Sequence, residues 1–285
     1  MLEMLINPRK AERRPWEMFF VGLLYASLSV LLVEWIFGQD VVLVQYSGVL
    51  VVTFSVMFTL PFMYYLIKDE GKKEETGEGG IRLLRSHSTA LTALLFLFVG
   101  FIVAFSFWYI VLGSENNFKA QIETYCMINR PDDIKGCAGQ YGVKSNIAGT
   151  GYLTAKERVI GIFANNIYVM IFTLIFSLVF GAGAIFVLAW NASVIAAAIG
   201  IFAREQVSQI PLGVARYMIH GMPEIAAYFI AAMAGGILGV GVIRHRFRDE
   251  KFWTALQDSL NLIIAAIIVL FIAALVEVFI TPALF

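Results

Sequence analysis

The side chains able to do chemistry are sparse in this chain, and the densest group is His220-Gly-Met-Pro-Glu224. An imidazole and a carboxyl within one short motif could serve as acid and base, hold an ion or bond a neighbouring helix. Asn165-Asn166 and Asn191 add amides that both donate and accept. One His with one carboxylate falls short of the three or four ligands of a zinc site, so metal binding is left open. Neither H-E-x-x-H nor a P-loop nor G-x-S-x-G occurs. No aspartate pair lies deep in an apolar stretch to share a proton, and no nucleophile accompanies His220 and Glu224. No catalytic residue and no cofactor is therefore expected. The candidate intramembrane polar site is Asn165, Asn166, Asn191, His220 and Glu224. Two readings stay open for it: hydrogen-bonded glue between helices, or a site for a substrate or ion.

The elements that must hold these residues follow from composition. The 285 residues are 59% hydrophobic and 15% charged, against roughly 25% charged in an average soluble domain. Such a chain has too little polar surface to stay wet and too much apolar surface to stay disordered. With 21 basic and 21 acidic residues it has no excess charge for nucleic acid. Its first partner is the lipid bilayer. All 21 Lys and Arg fall in five clusters, leaving 15–67, 86–118, 159–203, 217–243 and 252–285 free of positive charge. A helix needs roughly 20 apolar residues to cross the hydrocarbon core. The gaps predict seven spans, near 16–37, 41–67, 88–112, 160–181, 183–202, 220–243 and 257–280. The fold class is all-α, a polytopic transmembrane helical bundle, with broken or re-entrant segments expected near 181–183 and 203–223. Its organisation is a three-span region over 1–112 with a cytoplasmic linker at 68–87, an extracytoplasmic loop over 113–158, and a four-span region over 159–285.

Basic residues also orient the chain. With the N-terminus inside, inner segments carry 13 Lys and Arg in 48 residues and outer segments 8 in 71. The multi-pass protein is expected in the cell membrane, N-terminus cytoplasmic and C-terminus extracytoplasmic. The acidic start, basic run and long first apolar stretch do not read as a signal peptide. Cys126 and Cys137, the only cysteines, both fall in the outer loop, where a disulfide between them can persist. That loop reads as a lid or docking surface. Trp16, Trp35, Trp108 and Trp253 sit near span ends, as an interfacial belt places them, whereas Trp190 falls mid-span. His87 and His245 read as surface residues.

Pro223 suits a helix's first turn, where its missing N–H costs nothing. Glu224 would then sit where the macrodipole favours a carboxylate. Behind it Ala227, Ala231, Gly235 and Gly239 recur at i+4, a small-residue stripe on which another helix packs closely. Ala192, Ala196 and Gly200 form a second such stripe. Glu224 is thus expected to face protein, and the Asn side chains to bond across helices. Glu34 and Glu277, near span ends, are expected to reach the headgroups.

The stretch from about 160 to 243 resembles the stage II sporulation protein M family. Asn165-Asn166 opening one span, Asn191 followed by Gly200, His220-Gly-Met-Pro-Glu224, and Gly235-Gly236 with Gly239 carry the resemblance. The Arg-rich N-terminus with Trp16 is similar to that of archaeal members. One departure is Asn191-Ala192, where the family pattern leads to Asn-Gly. The resemblance implies an integral membrane protein without catalytic activity, since bacterial relatives act in sporulation engulfment alongside cell-wall hydrolysing partners. It points to a scaffold or assembly component with a membrane-protein partner or a second copy. The alternative is a channel or transporter for a small solute, ion or lipid, with its polar site around Asn191, His220 and Glu224.

Overall fold

The computed structural model describes residues 14–73, 88–113, 116–130, 132–147, 154–180, 183–205, 208, 210–244 and 249–284. The lead-in before Arg14, the linker from 74 with His87, Gly149–Gly151, Gly181-Ala182 and His245 lie outside them. All regular structure among the described residues is helical: α1 (Met18–Phe37), α2 (Ser47–Lys73), α3 (Ser88–Leu112), α4 (Lys119–Asn129), α5 (Ile134–Gln140), α6 (Ala155–Phe180), α7 (Gly183–Glu205), α8 (Ile210–Arg244) and α9 (Glu250–Leu275). A π-helical turn (Val276–Ile280) and the short α10 (Thr281–Leu284) complete the last span. Seven of these segments are long and apolar enough to cross a membrane. In hydrocarbon every backbone group must be bonded within the segment, which selects helices. Side-chain hydroxyls in the spans obey the same constraint. Ser29, Ser55, Thr59 and Thr173 each donate to the carbonyl four residues earlier.

The hairpin between α1 and α2 turns where the sequence expects it. The Asp40 carboxylate accepts from the backbone N–H groups of Val42 and Leu43 at 2.9 and 2.8 Å, which starts the 3-10 turn Leu43–Tyr46. The linker starts later than expected, because α2 continues through residues 68–73. The loop after the third span forms α4 and α5, and the Cys126–Cys137 disulfide joins them with Cα atoms 5.7 Å apart.

Two glycine crossings fix the bundle. Gly22 of α1 meets Gly100 of α3: a Cβ added to Gly22 would lie 3.2 Å from the Gly100 Cα. Around it Leu97, Phe98, Phe101 and Phe105 of α3 are fully buried. On α8, a Cβ added at Gly235 or Gly239 would stand 2.5 Å from the Leu174 oxygen or 2.6 Å from the Leu178 oxygen of α6. Only glycine permits that approach, and it brings α6 and α8 together along the stripe that includes buried Ala227 and Ala231.

One expectation is corrected. Helix α8 runs from Ile210 to Arg244 through His220, Gly221 and Pro223. Pro223 is therefore interior and Glu224 is not an N-terminal carboxylate; residues 206, 207 and 209 of the expected broken segment lie outside the described residues. An interior proline costs about 3 kcal/mol. Unwinding the helix in lipid would expose several backbone groups at several kcal/mol each, so the continuous helix wins.

Candidate functional site

Pro223 has no N–H to offer the Ile219 carbonyl one turn back, so α8 carries a gap in its ladder beside Glu224. The last span has its own irregularity at the same level. In the π turn, the Thr281 N–H and Oγ1 both bond the Val276 carbonyl, the latter at 3.2 Å. Such turns carry one residue more than α-helical winding and re-aim the side chains around them. Thr281 Oγ1 also lies 3.3 Å from His220 Nδ1, joining the two irregular segments. The hydroxyl has one proton. When it donates to Val276, Nδ1–H donates to it.

Between α6, α7 and α8, capped by α4 and closed by the last span, lies a cavity of about 710 Å³. Glu224 lines it, and its Oε1 accepts from Asn166 Nδ2 at 2.7 Å. Asn166 Oδ1 in turn accepts from the Tyr228 hydroxyl at 3.0 Å. Glu277 lines it too, which corrects its expected headgroup position: the π turn places it across from α8. Among the described residues Glu277 has no hydrogen-bond partner, and neither carboxyl forms an ion pair. Arg158, at the start of α6, is the one guanidinium in the lining among the described residues. Trp190, Phe172, Phe186 and Tyr168 supply an apolar wall. Tyr168 is 73% exposed, so the chamber is open along α6.

The cavity collects all five sequence-predicted site residues, in different roles. Asn166 is 5% exposed and makes the expected cross-helix bond, whereas its neighbour Asn165 is exposed. His220, 8% exposed, is held by Thr281. Among the described residues Asn191 does not make the expected bond across helices: its Nδ2 donates at 2.8 Å to Val187, one turn back on α7. The carbonyl of its own helix is the nearer acceptor. Sequence reasoning missed Glu277, Arg158, Tyr217 and Tyr228. Mid-span Trp190 was the available signal, since an aromatic away from the belt asks for something to line. Tyr217 donates to Asn129 Oδ1 at 3.0 Å, which fastens α8 to the end of α4 beneath the disulfide. No group of three or more His, Cys, Asp or Glu suited to a metal occurs among the described residues.

A second carboxyl–amide pair lies elsewhere. Glu34 of α1, expected at the headgroups, accepts a hydrogen bond from Asn117 Nδ2. One turn on, Gln121 Nε2 donates to the Gly48 carbonyl of α2 at 2.8 Å and to Ser193 Oγ of α7 at 3.1 Å. These bonds tie the loop that carries α4 to three spans.

Residues 92–282 match the family model described as Stage II sporulation protein M. The match reaches well beyond the 160–243 stretch and takes in the third span, the disulfide loop and Glu277. No curated protein and no solved structure matches the chain.

Proposed function

We propose that this chain, which belongs to the stage II sporulation protein M family, is a non-enzymatic membrane protein that admits a small solute to the cavity between α6, α7 and α8, as a binding or transport site. One observation carries the reading: a cavity of about 710 Å³ into which two carboxyl-bearing residues project, one of them without a hydrogen-bond partner among the described residues. Small-molecule sites are typically roughly 300–1,000 Å³ with a few placed polar groups in a mostly apolar wall. Irregular helix segments facing a chamber are also how transporters line theirs. With the N-terminus cytoplasmic, as the basic residues favour, the end of the cavity that α4 covers faces outward.

Gly221 provides the test. It lines the cavity, and a Cβ added there meets nothing within 4 Å. The two native cysteines are bonded to each other. Gly221→Cys should therefore react with a membrane-impermeant methanethiosulfonate added from the loop side. Protection from both sides would overturn the reading. A scaffold with a membrane-protein partner or a second copy, as the family resemblance implies, is the second reading. It needs no open chamber and predicts that filling the cavity with Gly221→Trp leaves the protein's behaviour unchanged.

A further inference from the structure

We propose that the occupant of this cavity is a small organic cation, an amine or quaternary ammonium on an apolar body, with its charge between Glu224 and Glu277. The inference rests on the cavity being a solute site and adds the chemical class of that solute. Charge gives the first argument. Among the described residues the lining holds two carboxyls and a single guanidinium, that of the exposed Arg158. A carboxyl withdrawn from water must either keep its proton or meet a countercharge, and a cation placed beside the pair supplies that countercharge. Hydrogen-bond capacity gives the second. A carboxylate accepts at about four lone-pair sites. Glu224 uses one of them on Asn166, and Glu277 none among the described residues.

Shape and the wall give the third argument. A cavity of about 710 Å³ is far larger than a bare metal ion, and no cluster of three metal-ligating side chains gathers there among the described residues. Trp190, Tyr168 and Phe172 offer aromatic surface instead. Aromatic faces attract ammonium groups within about 6 Å of the ring centroid and bury apolar bodies equally well. An anion finds less beyond Arg158: His220 Nδ1 is engaged with Thr281, and one N–H of each of the Asn166 and Asn191 amides is spent on Glu224 and on Val187.

Two ions of matched size and opposite charge test this on the full chain in lipid nanodiscs. Tetraphenylphosphonium should bind saturably, and tetraphenylborate should not. The Glu224→Gln/Glu277→Gln double variant should weaken the cation's binding by at least about tenfold. Glu277→Gln alone gives up no hydrogen bond to the described protein, so it keeps the test open if the double variant does not fold, and it should weaken binding several-fold. Gly221→Trp should block binding. A preference for tetraphenylborate, or unchanged cation affinity in both carboxyl variants while Gly221→Trp still blocks, would overturn the cation assignment and leave the cavity reading standing. Binding indifferent to Gly221→Trp would remove the cavity reading itself.

Discussion

The molecule holds two carboxyl–amide pairs of the same chemistry in different surroundings. Glu34 accepts from Asn117, and Glu224 accepts from Asn166. Around the first pair the space is filled. Asn117 is 1% exposed, and Gln121 and Ser193 are fully buried. Gly48 is pressed so close to Gln121 that an added Cβ would collide with its side-chain oxygen. Around the second pair the carboxyl faces the cavity between α6, α7 and α8. Identical groups thus serve as glue in one place and as a candidate site in the other. What lies on the far side of the carboxyl makes the difference. Helix α4 belongs to both regions: Gln121 near its start bonds α2 and α7, and Asn129 at its end bonds Tyr217 over the cavity.

The largest expected effect comes from cutting the element the two regions share. Cys126→Ser/Cys137→Ser should cost about 3 kcal/mol of stability, read by thermal unfolding in detergent. It should also speed thiol labelling of Gly221→Cys, because the end of α4 that covers the cavity loses its tie to α5. Unchanged labelling would mean that α4 does not cover the mouth. Next, Gln121→Leu removes both bonds to Gly48 and Ser193, which leaves each with only the bonds of its own helix. A loss of about 2 kcal/mol is expected, with labelling at Gly221→Cys unaffected. A change in labelling would show that the two regions are coupled.

Smaller effects separate the two carboxyls. Glu34→Gln replaces a charge-assisted bond with a neutral one and should lower stability by about 1 kcal/mol without altering tetraphenylphosphonium binding. Glu224→Gln should show the reverse emphasis, with the larger change in binding and the smaller in melting temperature. Equal behaviour of the two variants in both measurements would erase the distinction. The smallest effect is at Gly221. Gly221→Ala meets no atom within 4 Å and should raise helix stability by about 0.5 kcal/mol. A loss there would show that the chamber wall is more tightly packed than its geometry.

Much of the fold was legible because its cause is local. Charge-free gaps predict the spans to within a few residues at most ends, since each residue's cost of entering lipid depends on that residue alone. The glycine stripe at Gly235 and Gly239 was readable for the same reason: a run of absent side chains marks where a neighbouring backbone can approach. Reading failed where the outcome depends on partners. Glu277 was assigned to the headgroups by its distance from a span end. Nothing in Val276–Ile280 announces a π turn, which appears when Thr281 closes on Val276. Pro223 was read as a helix start by the rule for water, where unwinding the preceding turn is cheap. Asn191 was expected to reach across helices and instead bonds its own turn.

By itself the sequence determined that this chain lives in lipid, how many times it crosses, and that Asn166, His220 and Glu224 ask for partners, because transfer free energy accumulates residue by residue along the chain. Only the tertiary structure decided which partners they meet. It alone put Glu277 and Trp190 around the same empty volume as Glu224, since hydrogen bonds and cavities belong to atoms brought together from distant segments.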